Sequence, residues 1–564
     1  MCAICGIKSL NSGSENTTRL QFFKMLNSLN HRGPDFQGNY INENLHLGSA
    51  RLKILDLEDR SNMPMQIENY IIVFNGEIYN HKELRTKLED SGEVFLTTSD
   101  TEVILRLFKV YRFESFNMLE GMFALCIYDI KKKEVILARD IFGIKPLYYC
   151  FYNKIFIFSS EIKSIVNNIN IKFDKNNFAI YSYLHKGSII EPNTQFSNIF
   201  SLLPGNIMII KNNLEYEIKE FASVCSMIKN SENSDRKYSK DEFFYELNKQ
   251  IYAHAQSDVP MSLMLSSGID SIYINQLLKN SITPFTMSYD FCKNTSYDEI
   301  GEIKKHFPIK KHLVNYFKKS EVKIVKNNFP HLSDTLSIDG VQFLLISEYI
   351  KKNNFKVTMA GFGADEIFNA YPSYKYLNFF NIIKKVIPDF RPHNLNVSNY
   401  KLKKLINLLL YSSSLEEMYL NFRSIFFTDE ILNIMTNKNK IEEYKMNLLE
   451  HYDKYTKDIT LFNNKIKSLE INVYLRDQVL KDLDWASMKY SLEVRVPYLS
   501  KSLLKMSATQ NLANSLNKND LFVYSKLNKS NYFYQYKKKG FSTPDSILKN
   551  QRKFVLENYN LFVK

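Results

Sequence analysis

The sequence predicts two folded units of different class: an α+β antiparallel sandwich over residues 1–210 and a parallel α/β unit over residues 241–564, joined by a linker at 211–240. Three observations carry this reading. The first ~210 residues hold short β-branched and aromatic runs broken by turn residues. The stretch "SVCSMIKNSENSDRKYSKDE", beginning at Ser223, is polar and without apolar periodicity. Beyond it, strand-like runs alternate with helical spacing, the pattern of a doubly wound sheet.

The elements follow in order. "CAICGI" is apolar and β-leaning, and "LHLGSARLKILDL", "YIIVFNGEIYN", "MFALCIYDI", "EVILARDIFGIKPLYYCFYNKIFIFSSE" and "GNIMII" supply further strands. Thr18–Asn30 and Thr101–Tyr111 have helical spacing of apolar positions, the second opening after the acidic "SDTE". In the second half "VPMSLMLSSGIDS" runs from a buried-type strand through a small-residue loop into a helix, and "ITPFTMSYD" and "FKVTMAGFGADE" are the next strands. Residues ~375–470 are rich in Lys and Leu at helical spacing and carry no recognisable chemistry.

Composition narrows the function classes. Hydrophobic residues at 45% and charged residues at 24% suit a globular chain with sizeable cores. No run approaches the ~18 apolar residues of a membrane span, and no secretory signal opens the chain, so a cytoplasmic location with reduced thiols is expected. The net charge of +14 raises nucleic-acid binding. Lysine is nevertheless spread along the chain, and no zinc-finger or RNA-binding signature accompanies the short "KKK" runs, so neither nucleic acid nor membrane is expected as a partner.

"MCAICGIKSL" poses the first chemical question. A thioredoxin-type pair should end a strand and open a helix, and no helix signal follows here. In a strand Cys2 and Cys5 face opposite sides, which is poor geometry for a disulfide. A structural zinc site needs further ligands that the sequence does not offer. If Met1 is removed, Cys2 carries a thiol and a free α-amine on one residue, and that amine, with a pKa of ~7.7–8.0, can serve as a general base. Cys5 reads as a small apolar filler.

Around this cysteine the chain resembles the class II glutamine amidotransferases, through "MCAICGI", "HRGPD", "ARLKILD", "NGEIYN", "SDTEV", "EGMFAL" and "RDIFGIKPLYY". The resemblance implies an Ntn-type sandwich in which Cys2 attacks the side-chain amide of glutamine. It further implies that Asn75 and the Gly76 N–H hold the oxyanion, that Arg51 pairs with the glutamine α-carboxylate and Asp100 with its ammonium, and that Glu77 belongs to the same binding site. A zwitterionic substrate calls for one fixed cation and one fixed anion.

"LSSGIDS" (265–271) follows a strand and opens a helix, where backbone N–H groups can converge on an anion. With "GFGADEIF", "DWASMKYSLEVRVPYL" and "KKGFSTP" it resembles the asparagine synthetase domain, an ATP-pyrophosphatase fold. The resemblance implies an ATP and pyrophosphate site at Ser266, Ser267, Gly268, Asp270, Ser271, Gly361 and Gly363, with Asp270 and Asp365 as ligands of Mg²⁺, Glu366 beside them and Lys538 at the adenylating centre. Glu493 and Arg495 read as a structural ion pair.

The implied reaction activates a carboxylate with ATP as an acyl-adenylate and amidates it with ammonia that Cys2 frees from glutamine. Aspartate is the first expected acceptor. The partners are small molecules, with room for a homodimer. Four departures from the family pattern qualify the acceptor and the ATP site. Ser267 stands where a glycine is usual, which matters only if that position needs a left-handed backbone. Phe362 stands where an acid is usual and cannot accept a proton. Asn369 and Ala370 replace a Gly-Gly pair, and "LSIDGVQF" lacks the usual acidic character. They admit two alternatives: a uronic acid sugar of surface polysaccharide biosynthesis as acceptor, or a synthetase-inactive glutaminase or binding protein.

Overall fold

The structure is a computed structural model that describes residues 2–10, 15–295, 297–306, 309, 311–384, 399–525 and 551–563. Two six-stranded sheets form the first half. Strands β1 (Cys2–Ser9), β2 (Phe36–Ile41) and β3 (Leu45–Arg51) join β8 (Tyr148–Tyr152), β9 (Ile155–Ser159) and β10 (Phe200–Ser201) in the order β10-β8-β9-β1-β3-β2. The second sheet runs β12-β11-β7-β6-β5-β4. Its members are β4 (Met65–Ile67), β5 (Tyr70–Ile78), β6 (Gly121–Asp129), β7 (Glu134–Arg139), β11 (Asn206–Ile210) and β12 (Tyr216–Glu220). All neighbours are antiparallel.

Each strand's alternation gives every sheet two apolar faces, and four layers result. Ile4 and Leu47 meet Val73, Cys126 and Leu137 between the sheets. Phe22, Met25 and Leu26 of the helix Glu15–Ser28 cover the outer face of the first sheet, beside Cys5. Val103, Leu107 and Phe108 of the helix Asp100–Tyr111 cover the second, in the cluster that holds Cys2. The two cysteines thus enter different cores, as strand geometry requires.

The second half is built on a five-stranded parallel sheet, β15-β14-β13-β16-β17. It comprises β13 (Met261–Met264), β14 (Thr283–Tyr289), β15 (Leu313–Phe317), β16 (Val357–Met359) and β17 (Glu493–Arg495). The expected strands are present and parallel. The described residues between 372 and 469 include several helices, among them Pro372–Lys384, Tyr400–Leu410 and Leu415–Arg423.

The stretch read as a linker is not featureless. Ser223 caps a helix, Val224–Glu232, through a capping box with Ser226, and Val224 and Ile228 are buried one turn apart. Two buried apolar residues at i, i+4 suffice to dock one short helix, a signal too sparse to show as periodicity. The strand β12 likewise escaped notice because all five of its residues are exposed on a sheet edge.

One apolar cluster crosses between the halves: Leu52, Tyr79, Ile141 and Phe142 pack in the same core as Met261, Leu263 and Val494. Buried ion pairs cross as well. Arg32, held within its own half by Glu161 at 3.1 Å, reaches Asp484 at 2.7 Å, and Lys145 reaches Asp484 at 3.1 Å. Much of "HRGPD", "RDIFGIKP" and "DWAS" therefore serves to hold the two halves together.

Candidate active sites

Cys2 begins β1, pairs in register with Arg51 and is buried. Its backbone nitrogen donates to Asn75 Oδ1 at 3.2 Å. Asn75 lies on β5, fully buried, and its Nδ2 has no hydrogen-bond partner among the described residues. One side-chain amide therefore fixes the cysteine backbone with its oxygen and keeps a buried donor unengaged among the described residues. Gly76 follows it; a Cβ there would lie 2.0 Å from the Met122 carbonyl, so only glycine permits β6 to approach this closely. Burial pushes the Cys2 thiol up, while the Leu52 amide and Arg51 pull it back.

Arg51 is buried and donates to four neutral oxygens: Glu58 O at 3.1 Å, Asn62 Oδ1 at 2.8 Å, Leu55 O at 3.1 Å and Asp56 O at 2.6 Å. None is a carboxylate, so among the described residues its positive charge is oriented but not neutralised, a favourable state for receiving an anion. Asp100 opens its helix and accepts from the Ile78 N–H at 3.0 Å; burial pushes its carboxyl up. Glu77, near enough to Asp100 to feel its charge, also reaches across the domain boundary. Its Oε2 lies 3.0 Å from the Arg495 guanidinium, which also holds Glu493 at 2.5 Å and donates to His254 O and Gln256 O. Burial pushes the Glu77 carboxyl up and Arg495 opposes it. The expected Glu493–Arg495 ion pair is present, and it extends to Glu77 across the domain boundary.

At the C-terminal edge of the parallel sheet, the loop after β13 enters the helix Ile269–Leu277. Ser266 N donates to Ser271 Oγ at 3.0 Å, and Gly268 N donates to Ser266 Oγ at 3.2 Å. Ser267 does not adopt a positive φ, so its serine costs the loop no strain. Its N–H donates to Glu299 Oε2 at 2.7 Å, a carboxylate oxygen standing in for an anion at the loop. The loop after β16 brings up Gly361, Gly363 and Asp365. Gly363 has φ +90° and packs so closely on Leu499 that a Cβ would lie 2.5 Å from its Cγ. Asn369, at φ +52°, fills a left-handed position that asparagine tolerates without glycine.

Asp270 and Asp365 converge on one point: Lys518 Nζ lies 2.6 Å from the first and 2.5 Å from the second. Two carboxylates around one ammonium fit the oxygen-rich donor set of a hard divalent cation. Glu366 is buried behind them, accepts from the Tyr371 hydroxyl at 2.9 Å, and is pushed up to about 8 by burial and by Asp365. Lys538 lies outside the described residues. Lys518 is a residue that sequence reasoning missed, and one lysine among so many offers no local signal. Phe362 packs edge-on against Phe343 with ring centres 5.5 Å apart, which makes an apolar wall where an acid was the expectation.

A family model described as "Glutamine amidotransferase domain" matches residues 1–221, and one described as "Asparagine synthase" matches residues 244–526. Among relatives, asparagine synthetase [glutamine-hydrolyzing] 1 of Bacillus subtilis is 28% identical over 90% of this chain and 81% of its own length. The putative asparagine synthetase [glutamine-hydrolyzing] 2 of Methanocaldococcus jannaschii is 29% identical over 74% of this chain and 86% of its own. Amidase chry2 of Gibberella zeae is 26% identical over 62% and 55%.

Proposed function

The chain belongs to the asparagine synthase family and is a glutamine-dependent, ATP-using amidotransferase, and from that premise we propose how its two sites divide the work. In the first, removal of Met1 exposes the Cys2 α-amine. The amine takes the thiol proton as sulfur attacks the glutamine amide carbon. Asn75 Nδ2 and the Gly76 N–H hold the oxyanion, in the manner of preorganised donors worth ~3–4 kcal/mol each. The protonated amine then delivers its proton to the departing ammonia, and water releases glutamate from the thioester. Arg51 and Asp100 hold the two charged ends of glutamine.

In the second site the loop at Ser266–Ser271 receives the ATP phosphates. Asp270 and Asp365 would hold Mg²⁺, which would supply positive charge to offset that of the ATP phosphates. The acceptor carboxylate displaces pyrophosphate from the α-phosphorus, ammonia attacks the acyl carbon, and AMP leaves. Neutral ammonia is the reactive form, so passage through the protein interior serves it better than passage through water.

The observation that carries this reading is the Cys2–Asn75 pairing, which leaves one buried amide donor at the nucleophile. Aspartate is the acceptor to take first, because relatives spanning most of the chain carry the name asparagine synthetase. The Phe343–Phe362 wall favours a second reading, in which another carboxylate such as a uronic acid is amidated. The test supplies Mg²⁺, ATP, glutamine and aspartate and follows pyrophosphate release and asparagine by mass. Cys2→Ala should abolish glutamine-driven amidation and leave ammonia-driven amidation intact; loss of both in a folded protein would refute the division of labour.

A further inference from the structure

A cavity of ≈ 370 Å³ opens among the helices of residues 372–480, within the range of small-molecule sites. It adjoins the ATP site through Tyr371, which lines it and donates its hydroxyl to Glu366, the neighbour of Asp365. Aromatic rings make its walls: Tyr371 and Tyr474 meet edge-on at 5.6 Å, and Tyr400, Tyr419 and Phe422 continue the lining. The helix Glu470–Leu480 is wound as a π-helix. That wider winding sets Val473 and Gln478, five residues apart, on one face toward the cavity.

Two cations look into this aromatic chamber. Arg423 lies 3.7 Å from the centre of the Tyr474 ring and 5.2 Å from that of Tyr371. Glu470 grips one end of its guanidinium and is itself fixed by Ser373 and the Tyr419 hydroxyl. The Nε of Arg423 has no hydrogen-bond partner among the described residues. Lys404 stands over Tyr400 at 5.6 Å and Phe422 at 5.4 Å, and no ion pair to it is formed among the described residues. Burial and Arg423 push its ammonium down to about 8, the condition of a cation short of a counter-ion. Asp339, held by Gln478, adds a hydrogen-bond acceptor at the wall, and Lys186 is already satisfied by Asp477 at 2.9 Å.

We propose that this cavity is the acceptor pocket and that it takes a hexuronic acid bearing a phosphate group, with the ring against the tyrosines, the carboxylate toward Tyr371 and the ATP site, and the phosphate toward Lys404 and Arg423. The proposal rests on the amidotransferase reading, takes the second of its two acceptors in place of aspartate, and names the class of that acceptor. Aspartate fills such a chamber poorly and gives five aromatic rings nothing to stack on. A sugar ring presents C–H faces to aromatic rings and hydroxyls to Asp339 and the phenols. The phosphate supplies a counter-ion that Lys404 lacks among the described residues.

Two kinds of measurement separate the pocket from the reaction. Binding of glucuronic acid 1-phosphate, of uridine-diphosphate-linked glucuronic acid and of aspartate to the full-length protein is followed by calorimetry, and pyrophosphate release is followed with the same three compounds. The expected result is saturable binding of at least one glucuronate phosphate, weakened tenfold or more by Lys404→Met and restored by Lys404→Arg, with pyrophosphate released by that compound and not by aspartate. The arm that binds tells whether a single phosphate or a nucleotide diphosphate is read. Aspartate-driven turnover indifferent to Lys404→Met, or no binding of either sugar phosphate, would overturn the proposal. Lys404-dependent binding without any pyrophosphate would uphold the pocket and sink the ligase reading instead.

Discussion

Replacing Asn75 tests the glutaminase site at its most exposed inference. The residue is fully buried, its Oδ1 accepts from the Cys2 nitrogen at 3.2 Å, and its Nδ2 has no partner among the described residues. Asn75→Ala removes a donor at a place where no solvent can replace it. Loss of one such donor costs ~10²–10³ in kcat, about 2.7–4 kcal/mol. The full burial puts the expectation in the upper part of that range. Asn75→Asp keeps the shape and the acceptor but sets an anion against a developing oxyanion, so it should lose at least as much. The assay measures glutamate release under saturating glutamine and, separately, amidation driven by ammonium. Glutamate release should collapse and the ammonia-driven rate should hold. A fall in kcat of less than about tenfold, ~1.4 kcal/mol, would show that Asn75 merely positions Cys2 and that the oxyanion is held elsewhere.

Two further predictions concern stability. Asp484 neutralises Arg32 and Lys145, all three buried, so Asp484→Ala should destabilise the joined domains by about 3–5 kcal/mol; a urea midpoint that does not move would contradict the role given to it. Lys467 is buried against Ile367 O, Ser507 O and Ser507 Oγ, and burial pushes it down to about 7. The folded state then binds fewer protons than the unfolded chain between pH ~7 and ~10.4, so this residue's contribution falls as pH drops from ~10 to ~7 and is level below. Lys467→Met should flatten that slope in denaturation curves taken at several pH values, and an unchanged slope would show the ammonium to be charged in the fold.

The sandwich and the parallel sheet were legible because their strands are long enough to show composition and their loops carry small residues at recognisable places. Cys2, Asn75, Asp270 and Asp365 came with those motifs, and the structure brings Cys2 to Asn75 and Asp270 to Asp365. Lys518 was not legible, since its role comes from a meeting of distant segments. Neither was the reach of Glu77 to Arg495, which belongs to two domains at once. The short helix Val224–Glu232 is held by two apolar residues, and the cation-bearing cavity draws on seven separate stretches between Lys186 and Gln551. Spacing rules act within an element, so contacts assembled between elements leave no period to read.

β17 carries Arg495 and is hydrogen-bonded to β16, whose following loop holds Asp365. The same arginine holds Glu77, two residues along β5 from Asn75. Among the described residues, one ion pair and one strand pairing thus link the stretch that holds Asn75 to the stretch that leads into Asp365. In the proposed reaction that short link would give timing a physical carrier: a shift at β16 would reach Glu77 through one strand pairing and one ion pair, without any large swing of the domains.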